Sequence, residues 1–232
     1  MDTINLPAGP VYHADLDQGS EAWLAARCGL LTASEMKLIL TPTLKVAKND
    51  NSRAHVYELL AQRISGHVEP SYIGDDMLRG MSEEVDARLL YEKTCAPVQT
   101  VGFITNSKWG FTLGYSPDGL VGDDGLIECK SRRQKFQVAT ICTNAVPDEY
   151  MLQLQTGLLV SEREWVDFVS YSNGLPMFVQ RVWPDAAIQH AIIAAATAFE
   201  ESVRHSDNSY RATLEWARTF PTVRKVDQEM HI

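Results

Sequence analysis

Two carboxylates and one lysine in the middle of the chain have the types and spacing of a hydrolytic centre. Glu128 lies ten residues after Asp118, and Lys130 follows two residues later. Carboxylate oxygens suit a hard divalent cation such as Mg²⁺, which keeps several waters for a phosphate substrate. A lysine beside such an ion can hold the attacking water or offset charge on the phosphate. The three residues therefore predict metal-assisted hydrolysis of a phosphate ester.

A β-hairpin is the element that must position these side chains. Two short apolar segments, 120–121 and 126–127, flank Gly122-Asp123-Asp124-Gly125. Apolar strand-forming residues on both sides of a Gly- and Asp-rich segment are typical of a strand that reverses. The turn is expected to bring Asp118 back towards Glu128.

The loop of this hairpin decides whether the three side chains share a face. Side chains alternate along a strand, so Glu128 and Lys130 point the same way. Asp118 joins them only if the loop has an odd number of residues, or if a bulge at Gly122 or Gly125 shifts the register. The alternative interpretation is a purely structural turn followed by an exposed strand, which is the commoner meaning of either half alone.

Length and composition predict a single domain. The chain has 232 residues, of which 45% are hydrophobic and 22% are charged, so one substantial core is possible. No basic-plus-apolar signal opens the chain and no apolar run approaches a membrane span, which predicts a soluble, cytoplasmic protein. The four cysteines include no Cys-x-x-Cys pair, which argues against a zinc ribbon or an iron–sulfur cluster.

The charge of the chain is unfavourable for nucleic-acid binding. The formal net charge is −9, whereas affinity for phosphate backbones comes largely from Lys and Arg. A segregated surface, with basic residues lining a channel, would reconcile the two. Arg132, Arg133 and Lys135 form a basic run at the start of the helix expected after Lys130, where they could hold a phosphate backbone. The alternative is a solvated first turn, although cations there oppose the helix dipole.

A second group of polar residues near the N-terminus is a candidate phosphate site. Thr32-Ala33-Ser34-Glu35 has the pattern of a capping box, and helix starts expose N–H groups that bind anions. Arg27 lies just upstream, and its guanidinium suits a phosphate. Arg27, Thr32 and Ser34 could form a phosphate cup. From the residues alone we favour the simpler interpretation, in which Arg27 pairs with a surface acid and Ser34 completes the cap.

Helical periodicity places further polar residues near the hairpin. A helix expected over 72–94 carries Glu83 and Glu84, and the spacing does not decide which of them faces the metal site. In a helix expected from Pro147 to Leu159, Gln153 lies one turn after Tyr150 and faces the sheet with it, whereas Gln155 lies round the helix.

The remaining elements predict an α/β fold with a central mixed β-sheet flanked by helices. Residues 1–19 are expected to be an irregular arm. A long helix is expected from Pro184 to about His205, and a C-terminal extension from about residue 208 is expected to carry a short helix over 211–218. The whole chain is predicted to form one domain, 1–232.

Pro117-Asp118, Glu128 and Lys130 resemble the metal-binding signature of the PD-(D/E)XK nuclease superfamily. Further stretches match a narrower family. They are Glu21-Ala22-Trp23 with Arg27, Leu31-Thr32-Ala33-Ser34-Glu35, Gly80 with Glu84 and Asp86-Ala87-Arg88, Ser116-Pro117-Asp118-Gly119-Leu120, Glu128-Cys129-Lys130, and Tyr150-Met151 with Gln153 and Gln155. The chain resembles the bacteriophage lambda exonuclease, or YqaJ-like viral recombinase, family over roughly its first four-fifths.

This resemblance implies a restriction-endonuclease-like core and a Mg²⁺-dependent exonuclease, with Mn²⁺ able to substitute. Such an enzyme digests one strand of linear double-stranded DNA processively from the 5′ end and leaves a 3′ overhang for a single-strand annealing protein, in phage recombination. The family forms a homotrimeric ring around DNA. Two alternatives stay open: a structure-specific or restriction-type endonuclease of the same superfamily, and a catalytically inactive DNA-end-binding protein.

The resemblance also implies roles for individual residues. The metal site and its surroundings would comprise Asp118, Glu128, the backbone carbonyl of Cys129, Lys130 to orient the water, Glu84 to complete the site, and Gln155 beside it. The DNA contacts would comprise Arg27 on the 5′-terminal phosphate with Ser34 and Ser116 nearby, and Met77 as an apolar wedge between the strands. Thr32 and the basic run Arg132, Arg133 and Lys135 are predicted to contact phosphate from their residue types alone, and the run does not align position for position with the family.

Overall fold

The computed structural model describes residues 9–70 and 74–224. Within these residues the predicted α/β class is confirmed, with helices packed against mixed β-sheets. The strands form two four-stranded sheets instead of one central sheet. No helix in the described ranges is long and apolar enough to cross a membrane.

The first sheet has the order β1-β3-β4-β2. Its strands are β1 (Pro10–His13), β2 (Leu31–Thr32), β3 (Phe103–Asn106) and β4 (Leu113–Tyr115). The expected irregular arm is wrong for residues 10–13, because β1 pairs antiparallel with β3 along its full length. Residues 1–8 of that expected arm lie outside the described residues.

The second sheet has the order β5-β6-β7-β8 and contains the predicted hairpin. Its strands are β5 (Gly119–Val121), β6 (Gly125–Ser131), β7 (Trp165–Tyr171) and β8 (Phe178–Val182). Strands β5 and β6 are antiparallel, β6 and β7 are parallel, and β7 and β8 form the second expected hairpin. Strand β6, which carries two of the three candidate catalytic residues, is therefore held on both sides.

The helices largely follow the predicted segments. They are α1 (Glu21–Arg27), α2 (Met36–Ile39) after a 3₁₀ turn (Ala33–Glu35), α3 (Asp50–Ser65), α4 (Asp75–Thr94), α5 (Gln134–Thr143), α6 (Asp148–Ser161) and α7 (Ala186–Leu214). The separate helix expected over 211–218 is wrong, because α7 continues without a break to Leu214. The part of the expected α4 at 72–73 lies outside the described residues.

Helix α6 is the central packing element, with contacts to both sheets. Its residues 154–161 are all buried, so it packs all round rather than along one stripe. At Gly157 an added Cβ would lie 2.7 Å from Cζ of Tyr115, so only glycine lets α6 approach β4 this closely. The close approach fixes the buried ring of Tyr115, whose hydroxyl reaches the second sheet.

Candidate active site

The hairpin places Asp118 opposite Glu128. Gly119 pairs with Ile127 and Val121 pairs with Gly125, so the preceding residue, Asp118, stands across from Glu128. The loop between the paired ends has three residues, and Gly122 begins it with a φ of 54°. Of the two alternatives that the sequence left open, an odd loop or a bulge, the odd loop is the one present. Asp118 Oδ2 also accepts a hydrogen bond from the backbone N–H of Cys129 at 2.5 Å, which ties the two strands together at the site.

An arginine outside the hairpin holds its turn. Arg163 Nη1 donates to the carbonyl oxygens of Gly122 at 2.8 Å and Gly125 at 2.7 Å. Gly122 is the first residue of the loop and Gly125 is the first residue of β6, so Arg163 holds the loop in the conformation that aligns Asp118 with Glu128.

Glu128 is buried and accepts hydrogen bonds on both carboxylate oxygens. Its Oε2 accepts from the hydroxyl of Tyr115 at 2.7 Å, and its Oε1 accepts from Lys130 Nζ at 2.7 Å. The side-chain amide of Gln153, from α6, also donates to Oε1. Because three donors from three elements hold one carboxylate, its orientation is determined before any ligand binds.

Helix α4 supplies the third carboxylate. Glu84 forms a side-chain hydrogen bond with Asp118, whereas Glu83 accepts from Ser131 Oγ at 2.5 Å. Of the two glutamates, Glu84 is therefore the one that lies beside Asp118, and its expected role in completing the metal site stays a prediction. Arg88, one turn further along α4, donates through Nη1 to the carbonyl oxygen of Asp118 at 3.4 Å.

Burial and mutual repulsion perturb the ionisation of these groups. Burial raises the pKa of Asp118 well above its ordinary value, and the charges of Glu128 and Glu84 raise it further. Burial also raises the pKa of Glu84, which its hydrogen bond with Asp118 partly offsets. Burial opposes the charge on Lys130, but Glu128 and Asp118 outweigh it, so the net pKa of Lys130 is raised. The lysine stays cationic while the carboxylates compete for protons.

The donor set fits a hard divalent cation. Within residues 9–70 and 74–224, no three His, Cys, Asp or Glu side chains converge as a complete ligand group. Hard divalent cations are usually held by one or two carboxylates and keep several waters. Asp118 and Glu128, which face each other across the hairpin, fit this requirement. The buried excess of negative charge is what such an ion would neutralise.

The expected place of Gln155 beside the metal site is wrong. Its Nε2 donates to the carbonyl of Trp183 at 2.8 Å, and its Oε1 accepts from the N–H of Asp185 at 2.8 Å. Both bonds hold the connection between β8 and α7. Gln153, two positions earlier and so on the other side of α6, faces Glu128 instead.

Substitution of the two glutamines should separate activity from stability. We expect Gln153→Ala to lower nuclease activity at least tenfold with little loss of stability, because one donor to Glu128 is removed at a partly open site. Gln155→Ala should destabilise the fold by about 1–3 kcal/mol and change activity far less, because the buried amide of Gln155 bonds two backbone groups between β8 and α7. Chemical denaturation and digestion assays on both variants test this, and the reverse pattern would contradict the assignment.

The candidate phosphate residues near the N-terminus lie together. Arg27 Nη2 lies 3.5 Å from Thr32 Oγ1, and that hydroxyl lies 3.3 Å from Ser34 Oγ. Thr32 is buried and its hydroxyl donates to Glu35 at 2.7 Å. Ser34 is exposed, so Thr32 is the inner and Ser34 the outer residue of the group. Among the described residues no salt bridge of Arg27 within 4.0 Å is present. Burial lowers the pKa of Arg27, but the charge of Glu35 raises it against this effect, so the choice between a phosphate cup and a surface ion pair stays a prediction.

The basic run after β6 does not form one exposed patch. Arg132 is buried, and its Nη1 donates to Glu149 at 2.6 Å and to the hydroxyl of Tyr150 at 2.5 Å. The expected contact of Arg132 with DNA is therefore wrong, since a protein carboxylate already occupies its guanidinium. Arg133 and Lys135 are exposed at the start of α5, where their expected roles stay predictions.

A groove of about 1090 Å³ runs beside the site. Met77, Met81 and Val85 of α4 line one wall, and Glu84 and Asp118 lie in the same groove. Trp23 and Leu24 of α1 also contribute to its lining. Met77 is about half exposed, at 49%, and its expected role as a wedge between DNA strands stays a prediction.

Two site residues were missed from the sequence. Tyr115 bonds to Glu128 and Arg163 holds the hairpin turn. Tyr115 lies three positions before Asp118 in the same block, which is the only local signal for it. Arg163 contacts a loop some 40 positions away, and no spacing pattern points to it.

Comparisons with known proteins agree with this geometry. The model of the YqaJ-like viral recombinase domain matches residues 22–164. An alkaline exonuclease (LHK-Exo) from Laribacter hongkongensis is 33% identical, with a TM-score of 0.75, over 85% of this chain and 100% of that chain. The same enzyme in complex with dAMP gives 34% identity and a TM-score of 0.76, with the same coverage of both chains.

A more distant structure shows the same fold. A phage related exonuclease from Haemophilus somnus 129PT has a TM-score of 0.58 at 11% identity, over 78% of this chain and 96% of that chain. These likenesses confirm the predicted PD-(D/E)XK core. A comparison with curated proteins finds no match. Since the domain model covers more than half of the chain and the Laribacter enzyme is matched along its whole length, this chain belongs to the YqaJ-like viral recombinase family.

Proposed function

We propose that this protein is a metal-dependent exonuclease that digests one strand of linear duplex DNA from its 5′ end. Homology to alkaline exonucleases supports a DNA nuclease. The observation that carries the finer proposal is the closeness of two sites. Asp118 and Glu128 face each other with Lys130 on Glu128. Ser116 is two positions from Asp118, and Trp23 contacts both Ser116 and Arg27. This connection supports the binding of a terminal phosphate beside a scissile phosphate.

The residues divide the chemistry among them. Asp118, Glu128 and the carbonyl of Cys129 would hold Mg²⁺, with Mn²⁺ as a substitute. When bound, the ion would polarise the phosphate and lower the pKa of a water. Lys130, fixed on Glu128 at 2.7 Å, is placed to orient the attacking water and to offset negative charge on the phosphate. Glu84 completes the acidic wall beside Asp118, and Tyr115 and Gln153 keep Glu128 in one orientation.

The proposal extends to assembly and partners. A ring of three subunits around the duplex would make digestion processive despite the net charge of −9, because enclosure replaces part of the ionic affinity. The 3′ overhang would pass to a single-strand annealing protein. Sedimentation analysis of the free protein tests the ring, and a monomer at micromolar concentration would contradict it.

Digestion of duplexes with distinguishable ends tests the reaction itself. A linear duplex with different labels on its two 5′ ends and two 3′ ends should lose mononucleotides from the 5′ ends with Mg²⁺ and remain intact with a chelator. A covalently closed circle should resist. Cutting of the circle would favour the alternative endonuclease, and no cutting of any substrate would favour an inactive end-binding protein.

Replacement of Arg27 should reveal the recognition of the 5′ end. Arg27→Ala is expected to lower kcat/KM by about 10- to 100-fold on 5′-phosphorylated duplex, because a charge-assisted contact is lost. On 5′-hydroxyl ends the change should be small. Arg53→Ala is a matched control, because Arg53 is an exposed arginine that pairs with Asp50 on α3. An equal loss on both kinds of end would contradict the phosphate cup.

A further inference from the structure

The indole of Trp23 connects Arg27, a member of the proposed phosphate cup, with Ser116. Its Nε1–H lies 3.0 Å from Ser116 Oγ and 3.1 Å from the carbonyl oxygen of Gly102. The guanidinium of Arg27 lies over its ring, 4.2 Å from the ring centre. One side chain on α1 thus contacts both Ser116, at the end of β4, and Arg27.

In the hydrogen bond between Trp23 and Ser116, the indole is the donor and the serine hydroxyl is the acceptor. An indole N–H only donates, so Ser116 Oγ is the acceptor and its own proton is left for another partner. The described residues supply no other bond to that hydroxyl. Ser116 is half-buried, and it is separated from Asp118 only by Pro117. Its free O–H can therefore donate to an anion that enters beside the site.

The position of Arg27 over the indole also leaves hydrogen-bond donors available to an anion. Because the guanidinium carbon lies over the indole ring, the ring covers one side of the guanidinium and restricts the directions in which its N–H groups can donate. The hydrogen bond from Arg27 Nη2 to Thr32 Oγ1 is long, at 3.5 Å, and therefore weak. The remaining donors are oriented but weakly used, which suits a bidentate contact with phosphate oxygens.

We propose that Trp23 is a positioning residue for recognition of the 5′-terminal phosphate, which directs the Ser116 hydroxyl and the Arg27 guanidinium towards it. This inference rests on the proposed function. The competing explanation is that Trp23 only anchors α1 to Gly102. That purely structural role would lower activity on every substrate equally.

A double-mutant cycle separates these explanations. Trp23→Phe keeps an aromatic face for Arg27 and removes the N–H, and Ser116→Ala removes the hydroxyl. The quantity to measure is the ratio of kcat/KM on 5′-phosphorylated to 5′-hydroxyl duplex of the same sequence. We expect this ratio to fall about fivefold in Trp23→Phe and about tenfold in Ser116→Ala. The double variant should match Ser116→Ala alone, because the N–H acts through that hydroxyl.

The outcomes distinguish this inference from the proposed function. If Arg27→Ala and Ser116→Ala lower the ratio but Trp23→Phe leaves it unchanged, the role of Trp23 is overturned and the phosphate cup stands. The role of Trp23 is also overturned if the losses in the Trp23→Phe and Ser116→Ala single variants multiply in the double variant. If the wild-type protein does not distinguish the two ends, the phosphate cup and the role of Trp23 are both overturned, whereas the exonuclease itself is overturned only if linear duplex is not digested from its 5′ ends.

A spectroscopic measurement on the wild-type protein does not depend on the folding of a Trp23 variant. The ¹⁵N–¹H resonance of the Trp23 indole, identified by its change in Ser116→Ala, is recorded with a short duplex and a chelator. We expect a larger shift with a 5′-phosphate end than with a 5′-hydroxyl end, and no such difference in Ser116→Ala. Equal shifts with both ends would overturn the inference.

Discussion

Glu128→Gln is expected to lower the rate of strand digestion by about a thousandfold at saturating DNA and Mg²⁺. Glu128 is the residue on which the site converges: it accepts from Lys130 and Gln153 on one oxygen and from Tyr115 on the other. The substitution removes a charged ligand of the cation and the counter-charge that fixes Lys130. The rate of release of acid-soluble nucleotides from linear duplex measures the effect.

The loss of activity in Glu128→Gln should come from a slower hydrolysis step in a folded protein, and not from unfolding. Glutamine can place its carbonyl oxygen where Lys130 and Gln153 donate, and its amide can donate to the hydroxyl oxygen of Tyr115. Thermal unfolding should therefore stay close to wild type. Asp123→Asn is the matched control, since it neutralises an exposed carboxylate at the tip of the same hairpin. A folded Glu128→Gln protein with more than a tenth of wild-type activity would reject the proposed site.

Asp118→Asn is expected to stabilise the metal-free protein at alkaline pH while it abolishes activity. Burial, Glu128 and Glu84 raise the pKa of Asp118 in the folded state. The folded protein then holds a proton that the unfolded chain releases, so stability falls as pH rises from the ordinary carboxyl value to the raised pKa. For each pKa unit between the ordinary value and the raised value of Asp118, the folded state loses about 1.4 kcal/mol of stability at high pH. Asparagine does not ionise, so the variant does not lose this stability.

Thermal unfolding with a chelator between pH 4 and pH 9 tests this second prediction. The melting temperature of Asp118→Asn should exceed that of wild type at pH 8 by about 2–4 °C for every kcal/mol removed, and the difference should shrink towards pH 4. Asparagine can still accept from the N–H of Cys129, so that bond is kept. Mg²⁺ should raise the melting temperature of wild type more than that of the variant. A variant that is less stable at every pH contradicts the prediction.

Local patterns in the sequence predicted the centre of the site well. The hairpin, its odd loop and the shared face of Asp118, Glu128 and Lys130 depend on residues within about a dozen positions of each other. Helical periodicity also indicated that Gln153 faces the sheet with Tyr150. The family resemblance pointed to Gln155 instead, and here the local periodicity is the better guide to which glutamine faces Glu128.

Features that depend on distant partners could not be predicted in the same way. Strand β1 exists because its four residues pair with β3, about 90 positions later, and the segment has no periodicity of its own. Arg132 is similar, because its burial depends on Glu149 and Tyr150 from a different helix. The charges of the basic run were visible, but its division into one buried and two exposed residues was not.

The three-residue loop held by Arg163 also restricts how the gene can change. Insertion or deletion of a single codon in this loop would turn Asp118 to the opposite face of the sheet, since side chains alternate along a strand. Gain or loss of two codons would keep the alternation. Among active relatives that descend from this protein, the loop should therefore gain or lose residues two at a time. A change of one residue should be accompanied by a compensating bulge.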